Sequence, residues 1–485
     1  MSTDAAAPQS LPGSERSDEP RGARSRFRIV SAALFAALIA LGLLLAGAGM
    51  LQPPRLERVE SNPFALVESP GARVVLQLNQ PIDAPAEGAV SIDPEVPLSV
   101  ESDGARVTVR FLESLDYAAA YRLRVSVTGA FTGVRAEVEH ELRTPDISVY
   151  TLLRGSGGEG DRILADELIG GGGGRVVTEA GRIQEFALLS DRVVTIELDD
   201  GGGARLASAP LSGSGGGVAQ LTPLPLSSIT ELRAEAGVSF AGAVVSGEHT
   251  DGSELDQALV LWDLSGAGGA PFVAMGEGGA PARVVDWRFV PGTTGVVALT
   301  DEQRLLMLNP SLDQAPMLLG RFDALDGFLP GGNELVLERE GEQVILDLAT
   351  TDAFAVTPTA IGLPSPPAGP DAVSQVATDI VDRVLLDSST AIDRVVDPSG
   401  APAELRRVTP EGDAALFSPA SERSSLGALC RSPNGRAVSV EVISAEGRPD
   451  GSPTAQRFSG TTTVFLNAAT GETLRSMNGA LSSWC

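Results

Sequence analysis

Residues 289–310 read FVPGTTGVVALTDEQRLLMLNP. A Pro-Gly turn leads into the apolar run Val296–Leu299, a polar turn follows at Asp301–Gln303, and a second apolar run, Leu305–Leu308, ends on Asn309 and Pro310. Two short apolar runs bounded by turn residues specify a strand hairpin. The unit recurs. Residues 328–350, FLPGGNELVLEREGEQVILDLAT, repeat it, and Pro330 stands 39 positions after Pro291. A third copy opens at RSPNGRAVSVEV (431–442) and continues in TTTVFLNAATGE (461–472), while a weaker one, RIQEFALLSDRVVTIELDDGGGARLASAPL, occupies 182–211. A strand-built unit repeating at this spacing signals a repeat architecture.

These units resemble the WD40-like and TolB-like β-propellers, where SPNGR at 432–436 matches the usual Ser-Pro-Asp-Gly-Arg turn. The resemblance implies a β-propeller over 147–485. At about 40 to 50 residues per blade, that length gives about seven blades. Only one blade has the full turn, and 351–430 is hard to phase. The 55 glycines fit the scheme, since tight turns need residues tolerant of positive φ.

A different pattern fills 70–146. ARVVLQLN (72–79) puts Val74, Leu76 and Leu78 on one face, GARVTVRF (104–111) does so with Val107, Val109 and Phe111, and AYRLRVSV (120–127) with Tyr121, Leu123, Val125 and Val127. RAEVEHEL (135–142) follows, and Pro81, Asp93-Pro94, Asp103-Gly104 and Thr132-Gly133 punctuate the run. Strict alternation in short strands predicts an antiparallel β-sandwich. LQLNQPIDAPA (76–86), RVTVRF (106–111) and LDYAAAYRLRVS (115–126) resemble the bacterial Ig-like domain of surface-layer proteins, with Pro81-Ile82-Asp83 as its turn. That resemblance implies a spacer or adhesion-type module without catalytic residues.

Ahead of both lies Ile29–Leu51, IVSAALFAALIALGLLLAGAGML, without a charge. As a helix it would reach about 34 Å, enough for a bilayer core of about 30 Å. Arg21, Arg24, Arg26 and Arg28 precede it, whereas Arg55 and Arg58 follow beside Glu57 and Glu60. The positive-inside rule then predicts a cytoplasmic N-terminus, a single-pass helix in the cell membrane and extracellular C-terminal domains. A cleaved signal peptide is the alternative, with Ala46-Gly47-Ala48 as its site, but the apolar run exceeds the usual signal length. No cysteine lies nearby, which excludes a lipoprotein. Residues 1–28 are polar and Pro/Ser-rich, and are expected to form a disordered cytoplasmic leader. Residues 52–69 are expected to be a linker.

All 36 basic residues are arginine, so lysine Schiff bases and phosphate-loop lysines are excluded. The leader takes five arginines and four of the 63 acids, leaving the rest of the chain at −28. Such a surface repels nucleic acid. The only two cysteines are Cys430 and Cys485, the last residue. Outside the cell two thiols tend to pair, and a bridge over about 55 residues would contribute roughly 4 kcal/mol by loop entropy. Both cysteines sit in segments that read as innermost strands of adjacent blades, so a bridge would latch the ring. Two unrelated buried thiols are the alternative.

Catalytic, metal and cofactor signals are poor. GSGGEG (155–160), followed by DRILADELI and by Glu179, imitates a dinucleotide fingerprint. Glu159 and Asp161 would face the pyrophosphate, DRILADELI is short for a helix, and no βαβ alternation follows, so a glycine-rich hairpin loop is the better reading. The two histidines, His140 and His249, fall in different domains, too sparse for zinc. The loop with Asp251, Ser253, Glu254 and Asp256 departs from EF-hand spacing and reads as a solvated turn. Trp262 and Trp287 sit within apolar strands and read as core, leaving Trp484 at the terminus. A facing pair of channel carboxylates would suit a glycoside hydrolase, yet the sequence singles none out. The expectation is an all-β, membrane-anchored, non-catalytic scaffold of the cell envelope without cofactor, binding an envelope protein or cell-wall glycan. The rivals are an anchored carbohydrate-active enzyme or a ligand sensor using the channel.

Overall fold

The computed structural model describes residues 21–485 apart from 51, 87, 156–158, 212–217, 223–225, 249–251, 267–269, 277–278, 313, 351–352, 356–378, 397–402 and 453–456. The expected leader therefore lies mostly outside the described residues. Helix α1 spans Arg21–Met50, and from Ile29 to Leu44 its large apolar side chains are exposed. Among the described residues no helix is long and apolar enough to cross a membrane. The expected span Ile29–Leu51 is described at the side-chain level only from 29 to 44.

Two antiparallel sheets follow. One holds, in spatial order, β1 (Leu56–Ser61), β2 (Arg73–Leu78), β5 (Arg106–Phe111) and β4 (Leu98–Asp103). The other holds β3 (Val90–Asp93), β6 (Ala120–Thr128) and β7 (Arg135–Arg143). The alternating residues of β2, β5 and β6 are buried against each other, from Val74 and Leu76 to Val125 and Val127. The expected linker at 52–69 is instead part of this sandwich. It holds β1 and the short helix α2 (Pro63–Glu68), whose Leu66 enters the core. Asn62 caps α2, its side-chain oxygen accepting from Phe64 N at 3.1 Å. β1 escapes a period-two reading because its pairing slips between Leu56 and Arg58, so Leu56 and Val59 both pack inward.

β1 begins beside Asn79 and ends beside Val74, so the chain enters the sandwich at one end. It leaves at the other, after β7 closes at Arg143 beside Ala120.

Among the described residues, seven small sheets then follow in chain order. In blades 2 to 7 four consecutive strands form a meander, beginning with Ile183–Leu188, Ser228–Glu235, Val284–Phe289, Ala324–Phe328, Asp379–Leu385 and Ser425–Arg431. These first strands neighbour one another and line the axis, which defines a β-propeller. The sequence unit starts one strand late. Pro291-Gly292, Pro330-Gly331 and the SPNGR turn each join the first strand of a blade to its second. Residues 351–430, hard to phase from sequence, include blade 6.

Blade 1 is completed from both ends of the propeller. Ser148–Leu153, Asp161–Glu167 and Arg175–Ala180 supply its outer strands. Its inner edge comes from the C-terminus: Leu152 N donates to Ala480 O (2.7 Å), Ala480 N to Leu152 O (2.9 Å), and Ser483 N to Tyr150 O (3.0 Å). DRILADELI is thus a strand, and the glycine-rich stretch joins two strands of one hairpin, with 156–158 outside the described residues. Cys485 forms a disulfide with Cys430 of blade 7, with Cα atoms 5.2 Å apart.

The sandwich packs on the face of the propeller that bears these first turns. Val67 and Tyr117 join Val149, Leu168, Phe465 and Met477 in one apolar cluster. The SPNGR turn is buried there. Asn434 Nδ2 donates to Leu115 O (3.2 Å), Arg436 Nε to Ser114 O (2.6 Å), and the Arg436 guanidinium meets Glu113 at 2.7 Å.

Candidate functional site

The channel along the propeller axis is lined by acids and arginines, among them Glu185, Glu231, Arg233, Arg288 and Arg457. Its construction rests on a repeated irregularity: in blades 2 to 7 the pairing of first and second strands slips, between Ile183 and Glu185, Thr230 and Arg233, Val284 and Asp286, Leu325 and Gly327, Ile380 and Asp382, and Leu426 and Leu429. A bulge re-aims the side chain beside it. In five consecutive blades that residue is an acid: Glu185, Glu231, Asp286, Asp326 and Asp382. Glu231 takes a positive φ of 53° to do so. Blade 7 has Gly427 instead, and Glu441 reaches over from the second strand; a Cβ on Gly427 would lie 2.7 Å from its Oε2.

Three of these carboxylates stitch one blade to the next. Glu185 Oε2 accepts from the bulged Leu232 N of blade 3 at 2.9 Å. Asp382 accepts from Leu429 N of blade 7. Glu441 Oε1 accepts from Leu481 N of the closing strand at 2.8 Å. Arginines occupy the spaces between. Arg233 meets Glu231 at 2.7 Å and Asp286 at 3.2 Å, and Arg288 meets Asp286 from the other side. Arg394 lies 3.7 Å from Asp382 and Arg457 3.6 Å from Glu441, while Arg431 donates to Leu385 O and Phe328 O.

The narrow walls strip water from these charges. Burial is the main force raising the Glu231, Asp326 and Asp382 carboxyls above the usual range, against the pull of Arg233, of the Gln343 amide and then Arg288, and of Arg394 respectively. Burial, and then the neighbouring Arg288, push Arg431 down to about 10. A cavity of about 460 Å³ opens among Glu185, Glu231, Arg233, Arg288, Arg457 and Trp484.

A raised carboxyl holds its proton more tightly folded than unfolded. Its stabilising share is complete below the unfolded pKa of 3.8 and is lost as pH rises through the folded value. Wild-type protein is therefore expected to lose stability relative to Asp382→Asn as pH rises above 3.8, read as diverging urea midpoints. Parallel midpoints would mean that Asp382 is not titrating in the channel.

On the face away from the sandwich, the connection from Ile443 to Thr461 reaches across to blades 1 and 2. Arg154 grips Asp450 at 2.6 Å and Asp161 at 2.7 Å, and Arg182 donates to Gly451 O at 2.7 Å. This charged clamp is a feature that the sequence reading misses.

The residues singled out from sequence are scattered. His140 lies on β7, its pKa lowered chiefly by burial; His249 and Asp251 are outside the described residues. Glu254 and Asp256 fall at the start of a strand of blade 3, Asp256 paired with Arg283. Ser253 immediately precedes that strand. Among the described residues no group of three or more His, Cys, Asp or Glu is placed to hold a metal. Trp262 and Trp287 are buried, and Trp484 packs edge-on against Phe465, ring centroids 4.9 Å apart. The channel acids had a signal, an acid two residues after Ile or Val in ITELR, VVDWR and IVDRV, but as single exposed-type residues they look like ordinary strand polarity.

No family model and no curated protein matches this chain. Among solved structures, one from a study of two prolyl endopeptidases aligns at TM-score 0.44 and 10% identity, covering 78% of this chain and 50% of that one. The chain thus spans about half the length of that enzyme. TolB from Acinetobacter baumannii aligns at TM-score 0.35 and 8% identity, covering 81% and 82%. An auxiliary nutrient binding protein from Bacteroides thetaiotaomicron aligns at 0.30 and 9%, covering 76% and 86%. Scores this low carry no argument about activity, and the propeller rests on the strand order of this chain.

Proposed function

We propose that this chain is a non-catalytic interaction module of the cell envelope. In this reading a helix over Ile29–Leu51 anchors it, an Ig-like sandwich stands on the outer membrane surface, and the propeller presents its far face to an envelope protein or a cell-wall glycan. The observation that carries the reading is the path through the sandwich, in at one end and out at the other, which makes it a spacer between α1 and the propeller. The sandwich covers part of the first-turn face and leaves the opposite loops to partners. The hydrolase alternative is disfavoured by the channel chemistry. A glycosidase needs one carboxyl free to attack or activate water. Here Asp286 is held between two guanidiniums, Glu185, Glu441 and Asp382 accept from backbone N–H groups, Glu231 pairs with Arg233, and Asp326 accepts from Gln343 Nε2 at 3.1 Å.

The test is carboxylate-directed crosslinking on intact cells, since the chain has no lysine for amine reagents. A reproducible exterior protein joined through loops of the far face supports the platform. A chain that is resistant to added protease until the cells are lysed would overturn the extracellular placement, and with it the proposal.

A further inference from the structure

We infer that the β6–β7 turn of the sandwich is a second membrane contact, with Phe131 inserted at the lipid headgroup boundary. This rests on the anchoring proposed above. The chain has almost no slack after α1. A single residue separates Met50, the last of the helix, from Gln52, whose carbonyl accepts from Gln80 Nε2 at 2.9 Å. Arg55 N then bonds the Asn79 side chain at 2.8 Å and Asn79 N returns to Arg55 O at 3.0 Å. Two Cα steps span at most about 7.6 Å. A helix ending in the bilayer therefore holds this end of the sandwich against the headgroups.

The β6–β7 turn shares that end. A Cβ on Gly129 would lie 3.3 Å from the same Gln80 nitrogen that bonds Gln52. Ala130 N donates to Pro81 O at 3.0 Å, and the turn closes on itself through Gly133 N to Gly129 O at 2.8 Å. From its tip Phe131 projects with 86% of its surface exposed, the most exposed large apolar side chain among the described residues. The segment Thr128–Val134, TGAFTGV, has no charge in a chain of net −27. An uncharged, rigid loop tipped by one aromatic ring suits the interfacial zone, where aromatic rings partition well. Arg135 and Arg55 stand close to it in sequence and pairing, and the acids at this end are Asp83, whose N–H bonds Thr128 O, with Glu137, Glu57 and Asp103. Of the other strongly exposed large apolar residues of the sandwich, Phe64 lies in α2 and Leu112 follows β5, at the propeller side.

The test uses full-length protein in phosphatidylcholine vesicles with and without brominated acyl chains. Phe131→Trp adds a tryptophan at the turn, and Phe64→Trp adds one at the far end. The expected result is that bromine quenches most of the emission added by Phe131→Trp and shifts it to the blue, leaving that of Phe64→Trp unchanged. Equal emission from Phe131→Trp in both vesicles, with the protein floating alongside them, overturns the contact while sparing the anchor. Protein that fails to float with vesicles overturns the anchor and the contact together.

Discussion

Cys485→Ser is expected to lower the unfolding free energy of the propeller by about 4 kcal/mol, the loop entropy of a bridge spanning 55 residues. The bridge matters because the strand it secures is short and terminal. Among the described residues blade 1 has three strands of its own, and Ala480–Ser483 bonds along the edge of Ser148–Leu153. Without the bond, the ring is held by three backbone hydrogen bonds, Thr151 Oγ1 donating to Asn478 O at 3.0 Å, Arg475 donating to Leu168 O and Ile169 O, the Glu441 contact to Leu481 N and the Trp484–Phe465 packing. A terminal strand of that size frays readily. Guanidinium unfolding of wild type, Cys485→Ser, Cys430→Ser and the double variant gives the measurement. The three variants should coincide with one another and with reduced wild type, because removing either sulfur removes the same bond. Deleting 479–485 should go further and abolish the cooperative transition. A Cys485→Ser midpoint equal to that of oxidised wild type would show that the strand closes the ring unaided.

How much of this was open to reading follows from the range of each interaction. Turns and strand alternation are local, so PGTTG, PGGNE and SPNGR announced hairpins, and Val107–Val109–Phe111 announced a buried sheet face. The repeat phase was off by one strand because the strongest turn signal sits inside each blade and not between blades. Bulges were invisible. One hid β1, whose inward residues Leu56 and Val59 are three apart, and five more stand beside the channel acids. The SPNGR turn looked like ordinary repeat punctuation. That Asn434 bonds Leu115, 319 residues earlier, depends on how two domains meet, and nothing local encodes that. The terminal cysteine was more informative, since the sequence holds only two cysteines and the structure joins them.

The joint between blades 3 and 4 should be the most sensitive point of the core, and Trp287→Ala is expected to cost about 3–5 kcal/mol. Trp287 is fully buried on the first strand of blade 4, edge-on to Phe289 with ring centroids 5.0 Å apart. Its indole overlies Gly242 of blade 3, where a Cβ would come within 2.7 Å of the ring. The indole N–H also donates to Glu231 O at 2.9 Å, fixing the bulge that turns Glu231 toward the channel. These contributions separate by substitution. Trp287→Phe keeps an aromatic ring but removes the donor, and should cost less than the alanine variant, with about 1–3 kcal/mol from the orphaned carbonyl. Gly242→Ala drives a methyl into the same ring and should destabilise by roughly 1–3 kcal/mol through overpacking. Because Glu231 and Arg233 share this bulge, Trp287→Phe should also loosen the Arg233–Asp286 pair, and a double-mutant cycle of Trp287→Phe with Asp286→Asn should show coupling. Additivity in that cycle would mean that the indole supports the core alone and that the channel acids are held without it.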